Sequence, residues 1–177
     1  MKSHYRLTSL VTLLCMAFFI HADDSQPQLK VTENIILTGE LSAKFVSGLD
    51  ADTQVIDLRG DVESTKREQS SLAAKQIDYA NIPIGRVAPE QTKVERFSKL
   101  IENNPNREIV VHCSSGNRAG LLWAAHLINT GTHTADALET VKPIATRAPI
   151  VKAIIDYGDS NPERLPVKVV IVTMFEI

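Results

Sequence analysis

The apolar positions of this chain form two kinds of segment. Short runs rich in Ile and Val are bounded by turn residues, which is typical of buried strands; they lie at 34–39, 53–59, 77–84 and 108–113. Longer stretches of helical length lie between and after these runs, at 42–49, 62–76, 89–104, 118–131, 134–141 and 147–158. Strands that alternate with helices predict an α/β fold in a single domain. We expect a mostly parallel sheet of four to five strands, covered by helices on both faces.

The two ends of the chain differ from this pattern. Lys2 and Arg6 precede the apolar stretch 10–20, and Ala22 fits a cleavage point, which predicts a signal peptide over 1–22 and a periplasmic protein. An uncleaved anchor is the alternative, but the stretch is short for a bilayer, so we expect no stable membrane insertion after cleavage. Residues 23–32 are polar and predict a flexible arm before a domain at 33–158. A tail follows at 159–177, and its segment 165–177 resembles one more strand without an assigned role.

Charge and cysteine content narrow the classes of function. The formal net charge is −2 and no Lys/Arg block is present, so nucleic acid is not an expected partner. Cys15 and Cys113 are the cysteines of the chain, and Cys15 falls in the predicted signal peptide. The exported chain would then hold one cysteine and no internal disulfide. The sequence makes no prediction of the oligomeric state.

The candidate chemistry lies where the most apolar strand ends. Cys113 follows that strand, and Arg118 stands at the start of the next helix. A thiol attacks as the thiolate, which a helix N-terminus and a nearby cation both favour. The intervening residues are small or polar, so their amides can converge on an oxyanion; they are Ser114, Ser115, Gly116 and Asn117. The alternative is an ordinary strand-to-helix turn with an incidental cysteine and arginine.

The sequence HCSSGNRAG resembles the active-site loops of cysteine-dependent phosphatases and of rhodanese sulfurtransferases. Together with NIILTGELSAKFVSGLDADTQVIDLR and YANIPI, it resembles the beta-lactamase-hydrolase-like, phosphatase-like domain family, which is related to dual-specificity phosphatases. This resemblance implies a cysteine-phosphatase-like fold and Cys113 as the nucleophile. It also implies that the amides of residues 114–117 and the side chain of Arg118 bind the transferring oxyanion. Phosphatases place five residues between the cysteine and the arginine, whereas four stand here, as in rhodaneses.

A general acid is the part of the phosphatase pattern that this sequence lacks. Dual-specificity phosphatases carry an aspartate in the loop that corresponds to GRVAPEQ, which contains none. Glu90 in that loop and Asp61 after another strand are weak candidates, and a solvated surface role is the alternative for each. Asp57 and Arg59 could pair beneath the site or simply end a strand. His112 either hydrogen-bonds within the loop or is a structural histidine.

Three functions fit these residues. The first is a cysteine-dependent phosphatase, the second a rhodanese-like sulfurtransferase that carries a Cys113 persulfide, and the third an oxyanion-binding protein without turnover. The expected substrate is a phosphorylated or sulfur-donating small molecule or protein. His126 and His133 lack metal-ligand spacing, so we expect neither a metal nor another cofactor.

Overall fold

The computed structural model describes residues 26–162. Its strands are β1 (Gln28–Lys30), β2 (Ile35–Thr38), β3 (Gln54–Asp57), β4 (Asp78–Asn81) and β5 (Ile109–His112). Its helices are α1 (Ala43–Ser47), α2 (Val62–Ala73), α3 (Gln91–Glu102), α4 (Asn117–Asn129), α5 (Thr134–Val141) and α6 (Ala148–Ser160). The strands and helices predicted from the apolar pattern are therefore present, with ends that differ by a few residues.

The five strands form one sheet in the order β1-β2-β5-β3-β4. Strand β1 is antiparallel to β2, and the other neighbouring pairs are parallel. Strand β5 lies between β2 and β3, in register with both: His112 is level with Thr38 on one side and with Asp57 on the other. Every residue of β3 and β5 is buried, as expected of strands inside a covered parallel sheet.

Alternate residues of the central strands face different helices. Val111 belongs to the larger apolar core, together with residues of α3, α4, α5 and α6. Val110 belongs to a smaller core with Leu72 of α2, against which Phe45 of α1 packs. Because neighbouring residues of a strand point to opposite faces, helices cover both sides of the sheet. The predicted fold class, a single α/β domain with a mostly parallel sheet, is confirmed.

Two boundaries differ from the sequence prediction. The arm predicted as flexible at 23–32 contains β1, whose residues pair with 36–38 of β2. This strand was missed because its sequence, QLK, has a single apolar residue and depends on backbone pairing at the sheet edge. Helix α6 continues to Ser160, past the predicted domain end at 158.

The predicted signal peptide at 1–22 and the tail strand at 165–177 lie outside the described residues. Between residues 26 and 162, no helix is both long enough and apolar enough to cross a membrane.

Candidate active site

Cys113 lies at the carboxyl end of the central strand, where a parallel sheet brings its ligand-binding loops together. Cys113 is 1% exposed, and its thiol forms no disulfide. The backbone amide of Cys113 donates to the carbonyl of Thr38 at 3.4 Å, and Leu58 donates to the carbonyl of His112 at 2.9 Å. The residues on both sides of the peptide bond that leads into Cys113 are thus tied to the neighbouring strands.

The loop after Cys113 is braced on two sides. Ser115 forms a bridge with Gly39, which follows β2. On the other side, the side-chain oxygen of Asn117 accepts a hydrogen bond of 2.9 Å from the backbone amide of Arg147, just before α6. Gly116 precedes α4 as its N-cap with φ +78°, a left-handed conformation that glycine adopts without strain. The loop therefore enters the helix by a sharp turn, with the first amides of α4 at its end.

The side chain of Arg118 extends from the first turn of α4 back over the carboxyl ends of the strands. One terminal nitrogen, Nη1, donates to the carbonyls of Leu58 at 3.0 Å and Ile84 at 3.3 Å. The other, Nη2, donates to the hydroxyl of Ser114 at 3.2 Å. The guanidinium is thus fixed between the ends of β3 and β4 and the loop. A planar guanidinium held in this way presents its remaining donors in a defined direction.

A mostly buried polar cluster lies at the carboxyl ends of β3 and β5, and we call it the Asp57 cluster; it consists of Asp57, Arg59, Glu68, Tyr79 and His112. Arg59 donates to Asp57 through Nε at 3.0 Å and through Nη2 at 2.9 Å, so the pair suggested by the sequence is formed. Nη2 of Arg59 also contacts a Glu68 oxygen at 2.7 Å. The Tyr79 hydroxyl donates to Asp57 at 2.9 Å. His112 Nε2 lies 2.7 Å from the other Glu68 oxygen.

The charges of the cluster shift the pKa values of its members. Burial alone would raise the pKa of Asp57, but the hydrogen bonds from Arg59 and the positive potential of His112 outweigh it, and the pKa lies below its usual value. Burial, and then the charge of Asp57, raises the pKa of the Tyr79 phenol. Asp57 is consequently ionised and Tyr79 protonated at neutral pH.

The same cluster contains three side chains that could ligate a metal. Ligand atoms of Asp57, Glu68 and His112 lie within 4.8 Å of one another. Arg59, however, donates to both carboxylates. Its positive charge would repel a metal cation bound by the same two side chains. The residues therefore fit an internal ion cluster better than a metal centre.

The two candidate general acids lie apart from the loop contacts. Asp61 is the N-cap of α2, where its side chain accepts from the amide of Glu63 at 3.2 Å. A hydrogen bond with Ser64, and then that amide, holds its pKa below the usual value. Glu90 is exposed and pairs with Lys93 at 3.0 Å. Among residues 26–162, no hydrogen bond or ion pair joins either carboxylate to Cys113 or Arg118.

Sequence reasoning missed Glu68, because its helix looks like a polar surface helix. Thr65 and Leu72 are the buried residues of α2. Glu68 lies three residues after Thr65 and four before Leu72, so it lies on the same buried face of the helix. That spacing was the signal available in the sequence. The bracing role of Asn117 was also missed, since its partner lies thirty residues away in the chain.

Comparisons with known proteins identify the family to which this fold belongs. A family model described as "DSP-PTPase phosphatase fused to NAD+ Kinase" matches residues 50–152, more than half of the chain. The chain belongs to this family. The predicted relation to dual-specificity phosphatases is confirmed, and a phosphatase-like hydrolase fold is established. No curated protein sequence matches the chain.

Three solved structures illustrate the shared fold. Tk-PTP in the active form superposes with a TM-score of 0.66 at 16% identity, over 78% of this chain and 98% of its own. TpbA of P. aeruginosa gives 0.61 at 15%, over 78% and 86%. The core catalytic domain of the PP-IP phosphatase SIW14 from S. cerevisiae gives 0.59 at 16%, over 78% and 90%. At these identities the likeness establishes the fold alone.

Proposed function

We propose that this protein is a cysteine-dependent phosphatase with Cys113 as its nucleophile. The observation that carries the proposal is the assembly of three parts at the carboxyl ends of the strands. They are the thiol of Cys113, the sharp turn at Gly116 into a helix N-terminus, and the fixed guanidinium of Arg118. Such an assembly suits a dianionic group that must be held while a thiolate attacks it. The substrate is a phosphorylated small molecule or protein.

The reaction has two steps. The Cys113 thiolate attacks phosphorus in line, a sulfur–phosphorus bond forms, and the oxygen of the leaving alcohol takes the electrons of the broken bond. The amides of residues 114–117 and the guanidinium of Arg118 stabilise the three equatorial oxygens. Water then attacks the thiophosphate, releases phosphate and returns the thiolate.

The leaving group receives its proton from water in this scheme. Asp61 has a lowered pKa and is engaged at the start of α2, so it is a poor proton donor at neutral pH. Loss of general-acid catalysis slows a reaction by about a hundredfold or more when the leaving group is poor. The enzyme should therefore favour phosphates whose leaving groups are stable as anions.

Sulfur transfer is the second candidate function, and the loop length favours it. Four residues separate Cys113 from Arg118, which leaves a tighter ring than the five of phosphatases. In this reaction the thiolate attacks the outer sulfur of thiosulfate, the sulfur–sulfur bond breaks, and sulfite leaves. The Cys113 persulfide then gives its outer sulfur to an acceptor thiol. No general acid is needed for this chemistry.

The mass of the intact protein distinguishes the candidates. The wild type and Cys113→Ser are prepared under reducing conditions and quenched during exposure to p-nitrophenyl phosphate or to thiosulfate. A phosphoryl adduct that requires Cys113 supports the phosphatase, and a single added sulfur that requires Cys113 assigns sulfur transfer instead. If neither donor leaves an adduct, neither is turned over, and phosphate or sulfate binds the wild type and Cys113→Ser equally tightly, the protein is an oxyanion-binding protein without catalysis.

We also propose that the protein acts in the periplasm. The support is the sequence alone: Lys2 and Arg6 before the apolar stretch 10–20, and a single cysteine after Ala22. N-terminal sequencing of the protein isolated from the periplasmic fraction should begin at Asp23. A chain found in the cytoplasm with Met1 or Lys2 at its start would contradict this proposal.

A further inference from the structure

Glu68 joins the two sides of the proposed active site through its two carboxylate oxygens. Oε1 lies 2.7 Å from Nε2 of His112, the residue that leads into Cys113. Oε2 lies 2.7 Å from Nη2 of Arg59. One carboxylate on α2 therefore contacts β5 on one side and the end of β3 on the other.

Each of these two contacts is connected through the backbone to a candidate catalytic side chain, Cys113 or Arg118. The carbonyl of His112 accepts from Leu58, and the next residue of the chain is Cys113. Arg59 follows Leu58, whose own carbonyl accepts from the guanidinium of Arg118 at 3.0 Å. Leu58 is thus bonded to both halves of the site, and its neighbour Arg59 is held by Glu68.

The contact with His112 also bears on where the imidazole carries hydrogen. A carboxylate oxygen and an imidazole nitrogen 2.7 Å apart would repel each other if both were bare acceptors, so a hydrogen on Nε2 is the arrangement that Glu68 favours. Neither atom makes a well-aligned hydrogen bond in the structure, so the attraction is mainly electrostatic. Asp57 contributes to it more weakly, because its Oδ1 lies 3.7 Å from the same nitrogen.

We propose that Glu68 is a positioning residue for the Cys113 loop: it orients the imidazole of His112 with hydrogen on Nε2 and holds Arg59, and so sets the spacing between Cys113 and Arg118. Glu68 does not touch the substrate in this scheme. Its removal should lower kcat by about a hundredfold, the size of effect that small misplacements in an active site produce, and leave KM within about twofold. This kinetic expectation rests on the proposed phosphatase function.

The variant Glu68→Gln tests the proposal, since the amide keeps the shape but loses the charge. Kinetics with p-nitrophenyl phosphate give kcat and KM separately, and the rate of Cys113 alkylation by iodoacetamide is followed by peptide mass at neutral pH. We expect a fall in kcat and a several-fold slower alkylation in Glu68→Gln. Glu63→Gln is the matched control, because Glu63 is an exposed acid of the same helix outside the Asp57 cluster. Wild-type kcat and alkylation in a folded Glu68→Gln variant would overturn the proposal.

A second measurement needs no variant. A long-range 1H–15N correlation spectrum of the wild type reports which nitrogen of His112 carries hydrogen, and we expect Nε2 to carry it. An unprotonated Nε2 would overturn the proposal even if Glu68→Gln failed to fold. Alkylation and the His112 spectrum do not depend on the substrate. If the wild type turned over no phosphate ester, the proposed function would fail while these two readouts still decided the role of Glu68.

Discussion

Alanine at position 116 should destabilise the protein through two separate terms. Gly116 has φ +78°, and a side chain in this left-handed region costs about 1–2 kcal/mol. A Cβ at this position would lie 2.5 Å from Cγ1 and 2.7 Å from Cδ1 of Ile144, well inside van der Waals contact. Forcing an extra methyl group into a packed core costs about 1–3 kcal/mol. We therefore expect Gly116→Ala to lose about 2–5 kcal/mol of unfolding free energy.

Urea denaturation measures this loss, and two further variants separate the terms. Gly48→Ala is the control, since Gly48 has φ −91° and the atom nearest to the new Cβ would be the Phe45 carbonyl oxygen, at 3.6 Å. We expect it to change stability by no more than about 0.5 kcal/mol. In an Ile144→Ala background the steric term of Gly116→Ala should vanish and the backbone term remain. A loss below about 0.5 kcal/mol for Gly116→Ala, or equal losses in both backgrounds, would refute this reasoning.

The remaining predictions concern a candidate general acid, Asp61, and a half-buried histidine, His126. Asp61→Asn should leave kcat for an alkyl phosphate, whose leaving group is poor, within about threefold of wild type, whereas loss of a true general acid would lower it by about a hundredfold or more. The pKa of His126 is lowered by burial, and its Nδ1 lies 2.8 Å from the Ser98 hydroxyl. Because the unfolded chain then binds more protons, unfolding free energy should fall as pH drops below about 6.5 towards the lowered pKa. His126→Gln should remove that fall. If the unfolding free energy of the variant fell between pH 7 and pH 5 as steeply as that of the wild type, the assignment of the fall to His126 would be contradicted.

The sequence predicted the parts of the site that are contiguous in the chain. Strand β5, Cys113, the turn at Gly116 and helix α4 all lie between Ile109 and Asn129, and each has a local physical signature. An apolar run predicts a buried strand, and a glycine before an apolar helix predicts a tight turn. Such features were therefore accessible without any knowledge of long-range contacts.

The parts that were missed depend on partners far away in the chain. Arg118 is fixed by carbonyls of Leu58 and Ile84, and Asn117 by an amide next to α6. Glu68 contacts His112, which lies forty-four residues later in the sequence. Backbone carbonyls carry no residue-specific signal, and the sequence signal for the inward side of α2 is weak because it rests on two residues, Thr65 and Leu72. Strand β1 was missed for a related reason, because its pairing comes from the edge of β2 rather than from its own apolar pattern.

The place of β5 in the sheet has a consequence for how the protein is made. Strands β2 and β3 precede β5 in the chain, yet each pairs with it, so a nascent chain that ends before Ile109 has two strands without their common neighbour. Exposed strand edges of this kind invite pairing with other chains. Cys113 is synthesised directly after the strand that fills this gap. The proposed nucleophile and the five-stranded sheet of residues 26–162 are therefore completed together, and shorter chains have open strand edges without the cysteine.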